Sequence, residues 1–89
     1  MSRVRIPPVM RSQTAGAKEV EVDGATAGQV LHNLADRYPS LGDQLFENGN
    51  LRRYVNVYVN DEDIQYLDKL NTPVSTEDTV IILPAMAGG

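Results

Sequence analysis

The sequence predicts an α+β fold, a mixed sheet of four to five strands with one helix packed across it, and three observations carry that prediction. Two short alternating segments precede a single amphipathic helix. A strand with valine at every second position follows it. The last strand, "TVIIL", is apolar on both faces, as a strand in the middle of a sheet is.

The elements follow in order. Val4-Arg5-Ile6 alternates, and Pro7-Pro8 then interrupts the ladder, which suits an edge strand or an irregular continuation into Val9-Met10. Ser12 to Ala17 reads as a turn. In "KEVEVDG" Val20 and Val22 share one face, Glu19 and Glu21 the other, and Asp23-Gly24 closes the segment; the two strands form a hairpin. Thr26 starts a helix as a capping residue with Gln29 as its capping-box partner, and Pro39 ends it after Tyr38. Ala27, Val30, Leu31, Leu34, Ala35 and Tyr38 make its apolar stripe. Leu41, Leu45 and Phe46 add a helical turn that seals the core, and "ENGN" reads as a surface loop. In "YVNVYVN" Val55, Val57 and Val59 face one way and Tyr54, Asn56, Tyr58 and Asn60 the other. "DED" is a turn, Ile64 and Tyr66 form a short strand, and "YLDKLNTPV" is loop with a helical turn. In the final strand Val80 and Ile82 share one face, Ile81 and Leu83 the other.

Composition narrows the function classes. The 89 residues suit one domain, burying about 60 to 65% of the unfolded chain's surface. No apolar run approaches the roughly 20 residues of a membrane span, and "MSRVRIPPVM" lacks the apolar core of a secretory signal, so a soluble, cytoplasmic protein is expected. Cysteine is absent, which removes disulfides and thiol chemistry. The net charge of -4 comes with scattered arginines, so neither nucleic acid nor membrane is an expected partner.

Side chains with catalytic potential find simpler readings. His32 lies toward the polar side of the helix without a second ligand or nucleophile nearby, and reads as a surface histidine. Asp61, Glu62 and Asp63 follow a strand and read as turn residues rather than metal ligands, without the glycine and distal glutamate of a calcium loop; no metal site is expected. Arg52-Arg53 is a solvated flank. The end, "ILPAMAGG", stays open between a frayed terminus of small residues and a terminal carboxylate that is itself the reactive group.

The strand and helix order resembles the β-grasp fold of ubiquitin, in which the last strand lies mid-sheet, parallel to the first, and the C-terminus leaves as a free tail. "ILPAMAGG" is similar to the terminus of the prokaryotic sulfur carriers, the ubiquitin-like small subunit of molybdopterin synthase and its relatives. "VNVYVNDEDI" and "IPPVMR" look most like the sulfur carrier of the actinobacterial cysteine-biosynthesis branch. The resemblance covers nearly the whole chain. It implies a folded domain over residues 1–84 and a flexible tail over residues 85–89.

What the resemblance implies chemically concerns partners more than this chain. An E1-like enzyme using ATP and Mg²⁺ adenylates Gly89, and sulfur displaces AMP to leave a thiocarboxylate on Gly89, so the protein is a cosubstrate that binds no cofactor of its own. Gly88 and Gly89, without Cβ, and the slim Ala85, Met86 and Ala87 after Pro84 then suit a narrow tunnel. A pyridoxal-phosphate-dependent cysteine synthase is the implied acceptor and a zinc metalloprotease the implied releasing enzyme; a secondary-metabolite pathway is an alternative. If Val80 and Ile82 face the helix, Ile81, Leu83 and Tyr58 form an outer apolar patch for the activating enzyme. Two rival functions stay open, a permanent small subunit of molybdopterin synthase and a protein modifier joined to lysines.

Overall fold

The structure, a computed structural model, describes residues 1–84. Strand β1 spans Ser2–Arg5 and pairs antiparallel with β2, Glu19–Val22. Helix α1 covers Ala27–Arg37 and the shorter α2 covers Pro39–Leu45. A small hairpin follows, β3 (Phe46–Glu47) and β4 (Asn50–Leu51), and then β5 (Val55–Val59), β6 (Glu62–Asp63) and β7 (Thr79–Pro84). The main sheet has the order β2-β1-β7-β5-β6. The last strand lies at its centre, parallel to β1 and antiparallel to β5, which is the β-grasp arrangement the resemblance implies.

The core forms where the sheet's inward valines and isoleucines meet the helical stripe. Val4, Val57, Val80 and Ile82 on the sheet, Val30, Leu31 and Leu34 on α1, and Leu41 and Leu45 on α2 are all buried. Each such side chain contributes about 1.5 to 3 kcal/mol by leaving water. Ala35 and Tyr38 end the predicted stripe only half-buried, and Gly28 joins it fully buried. Glycine is required there because a Cβ would sit 2.9 Å from the Leu70 carbonyl oxygen.

Capping fixes where α1 starts. Thr26 Oγ1 accepts the Gln29 amide at 3.2 Å, while Gln29 Oε1 accepts the Ala25 amide at 2.9 Å, one residue upstream of the usual capping-box donor. The far end is tied to the sheet. Arg37 donates to the Glu21 carbonyl at 2.7 Å and Asn33 to the Asp23 carbonyl at 2.8 Å, so helix side chains cover the exposed edge of β2.

Four expectations need correction. β1 is an interior strand rather than an edge. The missing N–H groups of Pro7-Pro8 turn the chain into a 3-10 helix, Pro8–Thr14, with Met10 and Thr14 buried, where an irregular strand and a turn were expected. "ENGN" is no simple loop: Asn48 and Gly49 both adopt positive φ, 54° and 83°, and join β3 to β4 as a tight hairpin. The short strand after "DED" is Glu62–Asp63 itself, and Ile64–Tyr66 is a 3-10 turn with Ile64 buried. Asp63 Oδ1 accepts the Gln65 amide at 2.9 Å and so favours the turn.

Candidate functional site

β7 is held on both sides: Arg3, Val4 and Arg5 pair with Thr79, Val80 and Ile81, and Val55 to Val59 pair with Pro84 back to Val80. The alternation sends Val80 and Ile82 into the core, leaves Ile81 half-buried, and leaves Leu83 46% exposed on the opposite sheet face. The predicted assignment of faces therefore holds.

Register builds the outer face. Tyr58 pairs with Ile81 and Asn56 with Leu83, so Tyr58 lies beside the two apolar side chains. The row through Ile81 crosses all five strands, from Glu19 through Arg5, Ile81 and Tyr58 to Asp63. Arg3 and Arg5 both approach the Glu19 carboxylate, at 3.7 and 3.8 Å. These exposed pairs add little stability but set a margin of mixed charge beside the apolar centre. Pro84 is half-buried and pairs with Val55, with the parity of the inward residues. Ala85, Met86, Ala87, Gly88 and Gly89 lie outside the described residues.

A hydrogen-bonded clamp fixes the start of the strand. Asn60, at φ 57°, donates its amide N–H to the Thr79 carbonyl at 2.7 Å, and its Oδ1 accepts the Thr79 amide at 3.0 Å. Asp78 accepts from the Ser75 amide at 2.8 Å and from Asn60 Nδ2 at 3.0 Å. The Ser75 backbone bond first, then the Asn60 side chain, hold the Asp78 carboxyl below its ordinary value of 3.8. A carboxyl with a lowered folded pKa stabilises the fold above its unfolded value, and that stability is lost as pH falls through the folded one. Asp78→Asn is therefore expected to lower the urea midpoint slightly at pH 6, with the difference from the parent closing below pH 3.8. Urea titrations of both proteins across that range check it; a constant gap would reject the carboxylate's role.

The remaining candidates have structural surroundings. His32 is exposed and stacks on Phe46, ring centroids 4.4 Å apart and 8° from parallel. Arg52 donates to the Asp43 carbonyl at 2.9 Å and lies 3.5 Å from Glu47, bracing the β3–β4 hairpin. Asp61 occupies the β5–β6 turn, with Glu62 and Asp63 in β6. Among the described residues no three His, Cys, Asp or Glu side chains cluster as a metal site, and no helix is long and apolar enough to cross a membrane.

Sequence reading passed over Arg11. Its Nε donates to the Ile6 carbonyl at 3.1 Å, and the half-buried residue lines a notch with Pro7, Pro8, Ile81 and Leu83. The Pro-Pro pair was the available signal, because a forced turn there returns the next basic residue toward the sheet.

Comparison with known proteins yields one coherent set. The model of the ThiS family matches residues 4–89. The sulfur carrier protein CysO of Mycobacterium tuberculosis is 42% identical over 89 residues, covering 97% of this chain and 96% of that protein. The small archaeal modifier protein 3 of Haloferax volcanii is 37% identical over 67 residues, covering 75% of this chain and 73% of its own. Among solved structures, the crystal structure of the Amycolatopsis orientalis BexX/CysO complex contains a chain matching at TM-score 0.92 and 39% identity, with full coverage of both chains.

Proposed function

Because the chain belongs to the ThiS family, we propose that it is a sulfur carrier whose C-terminal glycine is the reactive group. The Gly89 carboxylate attacks the α-phosphorus of ATP on an E1-like enzyme, releasing pyrophosphate and leaving an acyl-adenylate. A sulfide equivalent adds to the acyl carbon, AMP departs, and Gly89 carries a thiocarboxylate. ATP, Mg²⁺ and the sulfur belong to the partners; this chain contributes the acyl group and its presentation. It is a cosubstrate rather than a catalyst.

The observation that carries this reading is the position of β7. A strand gripped by neighbours on both sides leads directly to the Gly-Gly end, which a merely frayed terminus does not require. Likeness to CysO over nearly the full length supports cysteine formation as the destination, with a pyridoxal-phosphate-dependent synthase as acceptor and a zinc metalloprotease releasing the product. The complex of the Amycolatopsis orientalis CysO with BexX supports a protein partner for this chain as well. The working location is the cytoplasm, where ATP is available.

Intact mass spectrometry after co-expression with the activating enzyme and a sulfide source tests the proposal. The expected species is heavier than the free acid by the difference between one sulfur and one oxygen; the unmodified mass alone counts against the carrier. Likeness to the archaeal modifier favours a second reading, conjugation to lysines, for which Gly-Gly remnants on target lysines are the signature.

The activating enzyme docks on the outer face around Tyr58, Ile81 and Leu83. Leu83→Asp places a charge where an apolar contact forms, and is expected to slow adenylation by about tenfold or more. Because Leu83 is 46% exposed, the melting temperature should not change. Pyrophosphate exchange and circular dichroism measure the two; full activity would move the docking site elsewhere.

A further inference from the structure

We infer that the notch beside β7, between the Pro7-Pro8 turn and Leu83, receives a carboxylate side chain of the activating enzyme, with Arg11 as the group that recognises it. This rests on the docking reading above and names the chemistry of the surface that docks. The notch has a volume of ≈ 230 Å³, and its lining joins apolar residues, Ile81 and Leu83 among them, to two arginines, Arg5 and Arg11. It opens beside Leu83, so it is continuous with the apolar patch.

Arg11 differs from the other arginines of this face. Arg3 and Arg5 share Glu19, which offsets part of their charge. Among the described residues no acidic side chain lies within ion-pair distance of Arg11. One of its five N–H groups is engaged by the Ile6 carbonyl at 3.1 Å, which holds the guanidinium in place and leaves the others to donate. A guanidinium already oriented by its own backbone loses little freedom when a carboxylate arrives. Pro7 and Pro8 stiffen part of the lining.

Charge complementarity selects the occupant. The outer sheet face is mixed in charge, Arg3 and Arg5 lying opposite Glu21 and Glu19, but the described residues that line the notch include two arginines and no acid. A carboxylate beside an apolar anchor meets the notch favourably, whereas a basic group there would set like charges against each other.

Calorimetric titration of the purified E1-like enzyme with the full chain provides the test. Arg11→Gln is expected to weaken binding about 10- to 100-fold and to flatten its salt dependence, since a charge-assisted pair is lost. Arg11→Lys should recover only part, having the charge without the fork. Lys69→Gln, in an exposed turn that packs on α1 on the helical side of the sheet, should stay within about twofold. If Arg11→Gln also lowers the melting temperature, Arg11→Glu paired with Asp→Arg or Glu→Arg changes on the enzyme decides instead, and restored affinity is the expected result. Parent-like affinity of Arg11→Gln, or no rescue by any charge swap, overturns the inference while leaving the docking reading intact. Failure of the parent to bind overturns both. The chain's own terminal carboxylate is the competing occupant. Movement of the Arg11 Hε resonance in the free protein, when that carboxylate is replaced by a carboxamide, would assign the notch to it and overturn the inference.

Discussion

Adding one alanine after Gly89 is expected to abolish thiocarboxylate formation while leaving the fold unchanged. If the partner grips the outer face, the distance from β7 to the reacting carboxyl is set by the number of residues after Pro84. One extra residue shifts that carboxyl by about 3.5 Å. A nucleophile must lie within about 3 to 3.5 Å of its target, so the shift removes the reactive geometry. Deleting Gly89 errs by the same length in the other direction and should be equally inactive. Gly89→Ala keeps the length but sets a methyl group beside the acyl carbon, and should lose part of the activity. Among the described residues the core lies at or before Ile82, so all three should melt as the parent does. Pyrophosphate exchange followed by intact mass gives the answer. Adenylation of the lengthened and shortened chains at the parent rate would reduce the Gly-Gly end to an ordinary terminus.

Gly24→Ala is expected to be the most damaging single methyl group in the body of the domain. Gly24 joins β2 to α1 with φ 156°, and a Cβ there would lie 2.6 Å from the Val30 backbone nitrogen and 2.7 Å from its Cγ2. That nitrogen donates the helix's opening hydrogen bond to the Thr26 carbonyl, so neither atom can retreat without disturbing the cap. The cost is about 2 to 4 kcal/mol, or roughly 10 to 25 °C in melting temperature. Gly49 supplies the comparison. Its φ is 83° with nothing within 4 Å of a Cβ, so Gly49→Ala should cost only about 1 kcal/mol, from backbone strain alone. Equal losses at the two sites would show that packing against Val30 is not the cause.

Long-range architecture was legible in the sequence because it is written in period and parity. The doubly apolar "TVIIL" marked the central strand, and alternation set Leu83 on the face opposite Val80 and Ile82, while burial decided which of the two faces meets the helix. Short, locally bonded pieces were harder. The hairpin around Asn48-Gly49 has strands of two residues, too short for alternation, although Asn-Gly is itself a hairpin signal. Ile64 and Tyr66 alternate as a strand would, but the Asp63 side chain captures the Gln65 amide and the chain turns. Gly28 is missing from the predicted stripe because its role, the approach of Leu70, depends on a segment distant in sequence. Arg11 escaped for the same reason. A basic residue just before a predicted turn says nothing until the prolines ahead of it fold it back beside Leu83.

The two ladders along β7 also govern how the domain bears tension. Cross-strand hydrogen bonds in an antiparallel pair run perpendicular to the strands, and those in a parallel pair run only somewhat slanted. A pull on the C-terminus acts along β7, against β1 on one side and β5 on the other. Both ladders are therefore loaded in shear, and their bonds must yield together rather than one after another as they would in an unzipped hairpin. An enzyme that draws the tail into a tunnel pulls on the most firmly braced strand of the sheet. On the proposed reading, the body would serve as a mechanical stop at the tunnel mouth, so that force applied at the last glycine would position the reactive end without unravelling the carrier behind it.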